Sequence, residues 1–304
     1  MTHPAVRRRR PAFAAGLATL AMALGFTAIP ADAAPPPRDV DYVALGDSYS
    51  AGTGANTVDT TATGPFVPTL PCTQTANGYV DKADTAEPIV LVANAACHGA
   101  LLAQPTWDGV TSVKDQIAQL TAQGDLSKDT ELVSMTAGAN DAGVSNVLFN
   151  CLAGTPDDCS GAVLASQLAL PQVRANLVDT FAAIHSQAPR ARIVILGYAM
   201  LFNTAGFPVI PVDRQMLING GTTGLNATIA SAAAEANALY GAQVQYVDVT
   251  ARFAGHEVNT LSPWLFLSQV DPFEPRNFHP NQAGHTQYAG ALLASVNLKQ
   301  LARP

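Results

Sequence analysis

Cysteine is scarce in this chain: only four of its 304 residues, at 72, 97, 151 and 159, and no two stand at the Cys-x-x-Cys spacing of a zinc site. Basic charge is also scarce. The 16 Lys and Arg face 23 Asp and Glu, and without the first 33 residues the balance is 12 against 22, a formal charge of −10. Such a surplus of negative charge argues against a nucleic-acid partner. Neither Gly-x-Gly-x-x-Gly nor Gly-Lys-Ser/Thr occurs, so the glycine-containing loop from Gly46 to Gly54 lacks the features of a nucleotide cradle. No internal repeat or second domain is visible, and the only low-complexity stretch is a short Ala/Pro junction around residue 34.

The N-terminus has the layout of an export signal. Arg7 to Arg10 form a basic segment, Ala12 to Ile29 an apolar run, and Ala31-Asp32-Ala33 a small-x-small cleavage sequence. Residues 1–33 are therefore expected to be a signal peptide, 34–39 a Pro-rich segment and 40–304 one domain, with the mature chain secreted. The remaining residues are enough to bury a full core. In an exported chain, four cysteines imply two disulfides with three possible connectivities.

Five short apolar runs rich in β-branched residues are expected to be buried parallel strands: Val40 to Gly46, Pro88 to Ala93, Thr130 to Thr136, Ala191 to Gly197 and Val244 to Val249. Helical spacing lies between them, as in Leu170 to Gln187, where Val173, Leu177, Phe181 and Ile184 recur at intervals of four, four and three. This alternation predicts an α/β fold, a doubly wound parallel sheet with helices on both faces. The long segments Ala51 to Glu87, Asp141 to Ala169, Tyr198 to Arg214 and Thr250 to Phe278 read as loops gathered on one edge of that sheet.

The strand-to-turn sequence Leu45-Gly46-Asp47-Ser48 places a serine at the carboxyl edge of the first strand, where open α/β sheets bind ligands. On the same edge follow Gly99 in Ala96-Cys97-His98-Gly99-Ala100, Asn140 in Gly138-Ala139-Asn140-Asp141, and His279 in Phe278-His279-Pro280-Asn281. This ordered set, spanning nearly the whole chain after residue 40, resembles the SGNH (GDSL) hydrolases, and in particular their secreted bacterial esterase/lipase branch.

The resemblance implies a three-layer α/β/α fold with a five-stranded parallel sheet of flavodoxin-like order. It implies Ser48 as nucleophile at the start of a helix, with His279 as its base. The backbone N–H groups of Ser48 and Gly99 and the side-chain amide of Asn140 would form an oxyanion hole. Sequential disulfides, Cys72–Cys97 and Cys151–Cys159, are expected because each would staple one long loop and because the branch is paired that way. The first would also fix the loop that carries Gly99. A third bridge found in that branch is absent, since Gly255-His256 is followed by Glu257, Val258 and Asn259.

Among the other histidines His185 falls on the wrong edge, His285 shares a helical stripe with Tyr288, Leu292 and Val296, His98 neighbours Gly99, and His256 is the rival to His279. Many relatives carry Asp three residues before the catalytic histidine, but Arg276 stands there. Asp271 and Glu274 are close at other spacings, so the backbone carbonyl of Arg276 is expected to orient His279, making a Ser-His dyad. Asp47 and Asp141 read as loop-fixing carboxylates, and the sequon at Asn226 as fortuitous.

The expected function is a secreted serine esterase or lipase acting through an acyl-enzyme without metal or cofactor. Its partner is a small-molecule or lipid ester, its contact with lipid surfaces transient and its state monomeric. The alternatives are a carbohydrate acyl (acetyl) esterase and a catalytically silent binding protein. The apolar residues Phe202, Phe207, Val209, Ile210, Trp264, Leu265 and Phe266 in the long loops favour an acyl pocket wall but fit loop packing equally well.

Overall fold

In the computed structural model, which describes residues 38–56, 62–63, 72–106, 109–271 and 274–303, the apolar runs form the expected strands. The signal-peptide expectation lies outside the described residues. In chain order the elements are β1 (Val40–Gly46), β2 (Ala62–Thr63), β3 (Thr73–Gln74), α1 (Tyr79–Asp84), β4 (Ile89–Asn94), α2 (Val113–Gln123) and β5 (Leu132–Thr136). There follow α3 (Val144–Ala153), α4 (Pro156–Gln187), β6 (Arg192–Leu196), α5 (Val212–Tyr240), β7 (Val244–Val247), α6 (Thr250–Phe253), α7 (Gln282–Ser295) and α8 (Leu298–Leu301).

β1, β4, β5, β6 and β7 make a parallel sheet in the order β4-β1-β5-β6-β7, and β2 pairs with β3 in a separate antiparallel ladder. The chain therefore winds outward in both directions from β1 and β5. These neighbours run in register from Tyr42 opposite Leu132 to Gly46 opposite Thr136. Their carboxyl ends flank the point where the winding reverses, and the crevice formed there is the ordinary ligand site of such sheets.

β5 is buried at every residue and β1 at all but Asp41, as strands covered on both faces must be. Helices supply the cover: α1 packs on α7, and α4 packs on α5, α3 and α2, giving the three-layer α/β/α arrangement. Residues 37–304 form one compact unit.

Two segments differ from their sequence-based expectation. The stretch 141–169, read as a loop, is mostly helical, containing α3 and the first half of α4. α4 starts at a Thr155/Asp158 capping box with Pro156 in its first turn, and it continues through Pro171 as a helix of 32 residues. The sequence reading placed only Leu170 to Gln187 in a helix, so it held the second half of α4 and left the first half in the loop. Ser48, expected to start a helix, is instead followed by a succession of turns over 49–56, and among the described residues the next helix is α1.

Cys72 is bonded to Cys97 and Cys151 to Cys159. The second bridge ties α3 to the first turn of α4. The first encloses the longer loop, whose closure contributes about 3 kcal/mol in the chain-entropy account.

Candidate active site

β1 ends at Gly46, and the chain turns sharply at Asp47-Ser48. Backbone bonds from Ala51 N–H to Asp47 O and from Thr53 N–H to Ser48 O hold that turn. The Asp47 carboxylate is buried beneath it and accepts hydrogen bonds from Tyr49 N–H, the Thr136 hydroxyl and the Tyr198 hydroxyl. Burial raises its pKa to about 6 in spite of those three donors.

His279 arrives from the far end of the sequence and lies over Ser48. Its Nε2 is 2.7 Å from Ser48 Oγ, and its Nδ1 is 3.0 Å from the carbonyl oxygen of Asn277. A carbonyl can only accept, so Nδ1 carries the proton and Nε2 presents a lone pair to the serine hydroxyl. Desolvation, then the neighbouring His98, push the imidazole pKa down to about 3, which keeps the ring neutral.

The Arg276 carbonyl, expected to orient the ring, instead accepts the backbone N–H of His279 at 3.0 Å and closes a turn. Phe278 within that turn has a left-handed φ of 64° and directs the Asn277 oxygen to the imidazole. The orienting group is thus one residue further along, with only a lesser contribution from Arg276. Among the described residues no carboxylate is hydrogen-bonded to the ring. Glu274 is drawn away by Arg276, whose Nε lies 2.8 Å from Glu274 Oε1.

Several elements hold this loop. Residues 264–266 run beside it, with Phe266 N–H bonded to His279 O and Phe278 N–H to Phe266 O. The Tyr49 hydroxyl donates to Phe278 O at 2.6 Å. Asn281 caps α7 by accepting from Ala283 and Gly284 N–H. Gly54, at φ 88°, sits so close that a Cβ there would meet Pro280 O at 2.5 Å, so only glycine fits under the histidine loop.

Gly99 adopts φ 81° beside the pocket, and nothing lies within 4 Å of where its Cβ would be, leaving its backbone open to a ligand. The N–H groups of Ser48 and Gly99 have no acceptor among the described residues. One proton of the Asn140 amide bonds Ala100 O at 3.0 Å, and the second is left for the site. Asp141 accepts Leu102 N–H on both oxygens at 3.1 Å, so the Asn140 turn and the Gly99 loop are linked twice.

Ser48, His98, Gly99, Asn140 and His279 all face one cavity of about 410 Å³, within the size range of small-molecule sites. Its apolar lining comes from α3, through Val144, Leu148, Phe149 and Leu152, and from Leu201, Leu225 and Phe278. The residues expected to wall an acyl pocket do not line it. Phe202 and Leu265 are core residues, Trp264 stacks on His256, and Phe207 and Val209 are exposed. The stripe at 144, 148 and 152 has helical spacing and was missed because the segment was read as loop.

Three of the other histidines have clear partners. His256 is stacked at 3.5 Å on Trp264 and bonded to Ser262 O, away from the cavity. His285 is fully buried, accepting Tyr79 N–H at Nδ1 and donating to Thr53 O from Nε2. His98 lines the cavity with its ring centroid 5.3 Å from that of His279 and its Nδ1 2.9 Å from Thr53 Oγ1. Asn226 of the sequon is buried, its amide bonded to the backbone of Tyr198.

A doubly wound sheet with a serine, an imidazole and three free donors gathered at its reversal point defines a hydrolase of the serine type. The chain matches the GDSL-like lipase/acylhydrolase family over residues 44–287 and belongs to it; it is an ester-hydrolysing enzyme. It is 31% identical to a lipase of Streptomyces rimosus over 92% of this chain and 95% of that one. Lipase 1 of Streptomyces coelicolor is 28% identical over 89% of this chain and 92% of its own. Among solved structures, the extracellular lipase of Streptomyces rimosus superposes with a TM-score of 0.69 at 28% identity, covering 84% of this chain and all of that one. Phospholipase A1 of Streptomyces albidoflavus gives 0.68 at 27%, covering 84% and 98%.

Proposed function

We propose that this protein is a secreted serine lipase or esterase in which Ser48 is the nucleophile, His279 the general base and acid, and Ser48 N–H, Gly99 N–H and the Asn140 amide the oxyanion donors. The observation that carries the reading is the 2.7 Å contact between Ser48 Oγ and a neutral His279 Nε2 at the base of an apolar cavity. As Oγ attacks the ester carbonyl carbon, its proton passes to Nε2, and the carbonyl oxygen becomes an oxyanion facing the three donors. Collapse of that intermediate breaks the bond to the alcohol oxygen, which takes the proton from His279, leaving an acyl-Ser48. Water then gives its proton to His279 and attacks the acyl carbon. The acid is released as the proton returns to Ser48.

The apolar α3 wall favours a hydrocarbon acyl chain over a polar one. Phe149 lines the cavity and is nonetheless 55% exposed, a side chain suited to brief contact with a lipid surface. The export-like N-terminus, the disulfides and the likeness to an extracellular lipase of Streptomyces rimosus support secretion.

The test combines a fluorophosphonate probe with a series of p-nitrophenyl esters of increasing chain length. Wild type should label at Ser48 and prefer medium or long chains to acetate, and Ser48→Ala should neither label nor turn over. Labelling that persists in Ser48→Ala would overturn the nucleophile assignment. A preference for acetate would favour a carbohydrate acyl esterase.

A further inference from the structure

We infer that Tyr198 is a positioning residue for the oxyanion hole, its hydroxyl locking the Asn140 turn to the Ser48 turn. The inference rests on the reading of Asn140 and Ser48 given under Proposed function. Tyr198 follows β6, whose carboxyl end lies on the same edge of the sheet as the site, and its side chain is buried against the cavity. The hydroxyl donates to Asp47 Oδ2, next in sequence to Ser48, and accepts Ala139 N–H at 3.4 Å, next to Asn140. One oxygen thus spans the two turns that must present donors to the same point in space.

The rest of the residue is held as firmly. Asn226 of α5 takes Tyr198 N–H at its Oδ1, 2.9 Å away, and donates to Tyr198 O at 2.8 Å, fixing the backbone. The ring meets Tyr49 edge-on at 5.3 Å, and Tyr49 in turn holds Phe278 beside His279. The Asn140 turn is already joined to the Gly99 loop through Ala100 and Leu102. With Tyr198 added, all three donors belong to one hydrogen-bonded framework, so their spacing does not depend on substrate to set it.

The hydroxyl is too occupied with Asp47 to serve as a fourth donor. Burial has raised the Asp47 pKa, so loss of this partner leaves a poorly satisfied carboxyl group under the nucleophile as well as an unpaired Ala139 N–H.

The experiment compares Tyr198→Phe with Thr136→Val, which also removes a donor to Asp47 but does not touch Ala139. Steady-state kinetics with a p-nitrophenyl ester and thermal unfolding are measured for both. Tyr198→Phe should lower kcat by about 10- to 100-fold with KM within about twofold, since a misplacement of about 1 Å is enough for such a loss. Thr136→Val should lower kcat much less, even where it lowers the melting temperature as much.

Equal losses of kcat in the two variants, or a Tyr198→Phe enzyme with kcat within twofold of wild type, would overturn the inference. If Tyr198→Phe does not fold, Asp47→Asn/Tyr198→Phe removes the stranded charge. It must then be slower than Asp47→Asn alone, and equality of the two refutes the positioning role. An inactive wild type would instead strike at the proposed function.

Discussion

Protonation of His285 provides the sharpest quantitative check on the packing beneath the site. The residue is fully buried, and both ring nitrogens are used in the neutral form: Nδ1 accepts Tyr79 N–H at 3.2 Å and Nε2 donates to Thr53 O at 2.9 Å. Thr53 belongs to the Ser48 turn, so His285 braces that turn from α7. A proton on Nδ1 would face the Tyr79 N–H, two donors meeting in a dry interior. Desolvation, assisted by Lys82, lowers the pKa to about 4, against about 6.5 for a free histidine.

Between those values the unfolded chain holds more protons than the folded one, so stability is full above about pH 6.5 and falls as pH falls toward 4. At about 1.36 kcal/mol per unit, roughly 2 kcal/mol is lost by pH 5 and roughly 3 by pH 4. In His285→Asn, Oδ1 can still take the Tyr79 N–H while the titration disappears. Urea unfolding of both proteins, disulfides intact, from pH 7.5 to 4.0 gives the test. The wild-type advantage at pH 7.5 should shrink by roughly 3 kcal/mol at pH 4.0, equivalent to about 6–12 °C in melting temperature. Asp47, raised to about 6, acts in the opposite sense but is common to both proteins and drops out of the difference. A difference independent of pH would refute the reasoning.

Asn140→Ala should lower kcat by about 10²- to 10³-fold with KM little changed, the cost of one oxyanion donor; a change confined to KM in steady-state kinetics would make it a binding residue. Asp271→Asn and Glu274→Gln should each keep kcat within about tenfold, because a carbonyl orients His279. Loss of the acid of a true triad costs about 10⁴-fold, and a collapse of that size in either variant would relocate the triad.

The sheet and its edge were legible because buried parallel strands are written as unbroken β-branched runs, and because Ser48, Gly99, Asn140 and His279 each follow such a run. Asn277 was missed by one position because the choice between adjacent carbonyls depends on the left-handed Phe278, which no residue type announces. Tyr198 follows a strand on the correct edge, a signal available in the sequence, but a tyrosine after a strand is ordinary until its hydroxyl is seen to span two turns. The α3 wall and the first half of α4 were hidden because the stretch 141–169 was read as one long loop between strands. In both, a helical periodicity inside a segment assigned to the ligand-facing edge was passed over.

In the proposed mechanism, the Asn277 carbonyl standing where a triad would have a carboxylate changes where the catalytic power must come from. A carbonyl fixes the tautomer as well as a carboxylate does, but as a neutral dipole it stabilises the imidazolium less. The surroundings of His279 compensate little, with only a minor favourable contribution from the Arg276 carbonyl. Burial, His98 and His285 all disfavour its protonated form, as its lowered pKa records. The ring that takes the Ser48 proton in the transition state is therefore held in a place that resists the charge, and the attractive partner left for that charge is the oxyanion itself, formed a few ångströms away at the same moment. The stabilisation must then lie mainly on the oxyanion side, where Ser48, Gly99 and Asn140 present donors that need no reorganisation. That asymmetry accounts for the extent of the framework joining the three donor loops, from the Cys72–Cys97 bridge beside Gly99 to the Asp47–Tyr198 contact under Ser48. An enzyme that gives its base so little help depends more heavily on the rigidity of its oxyanion hole.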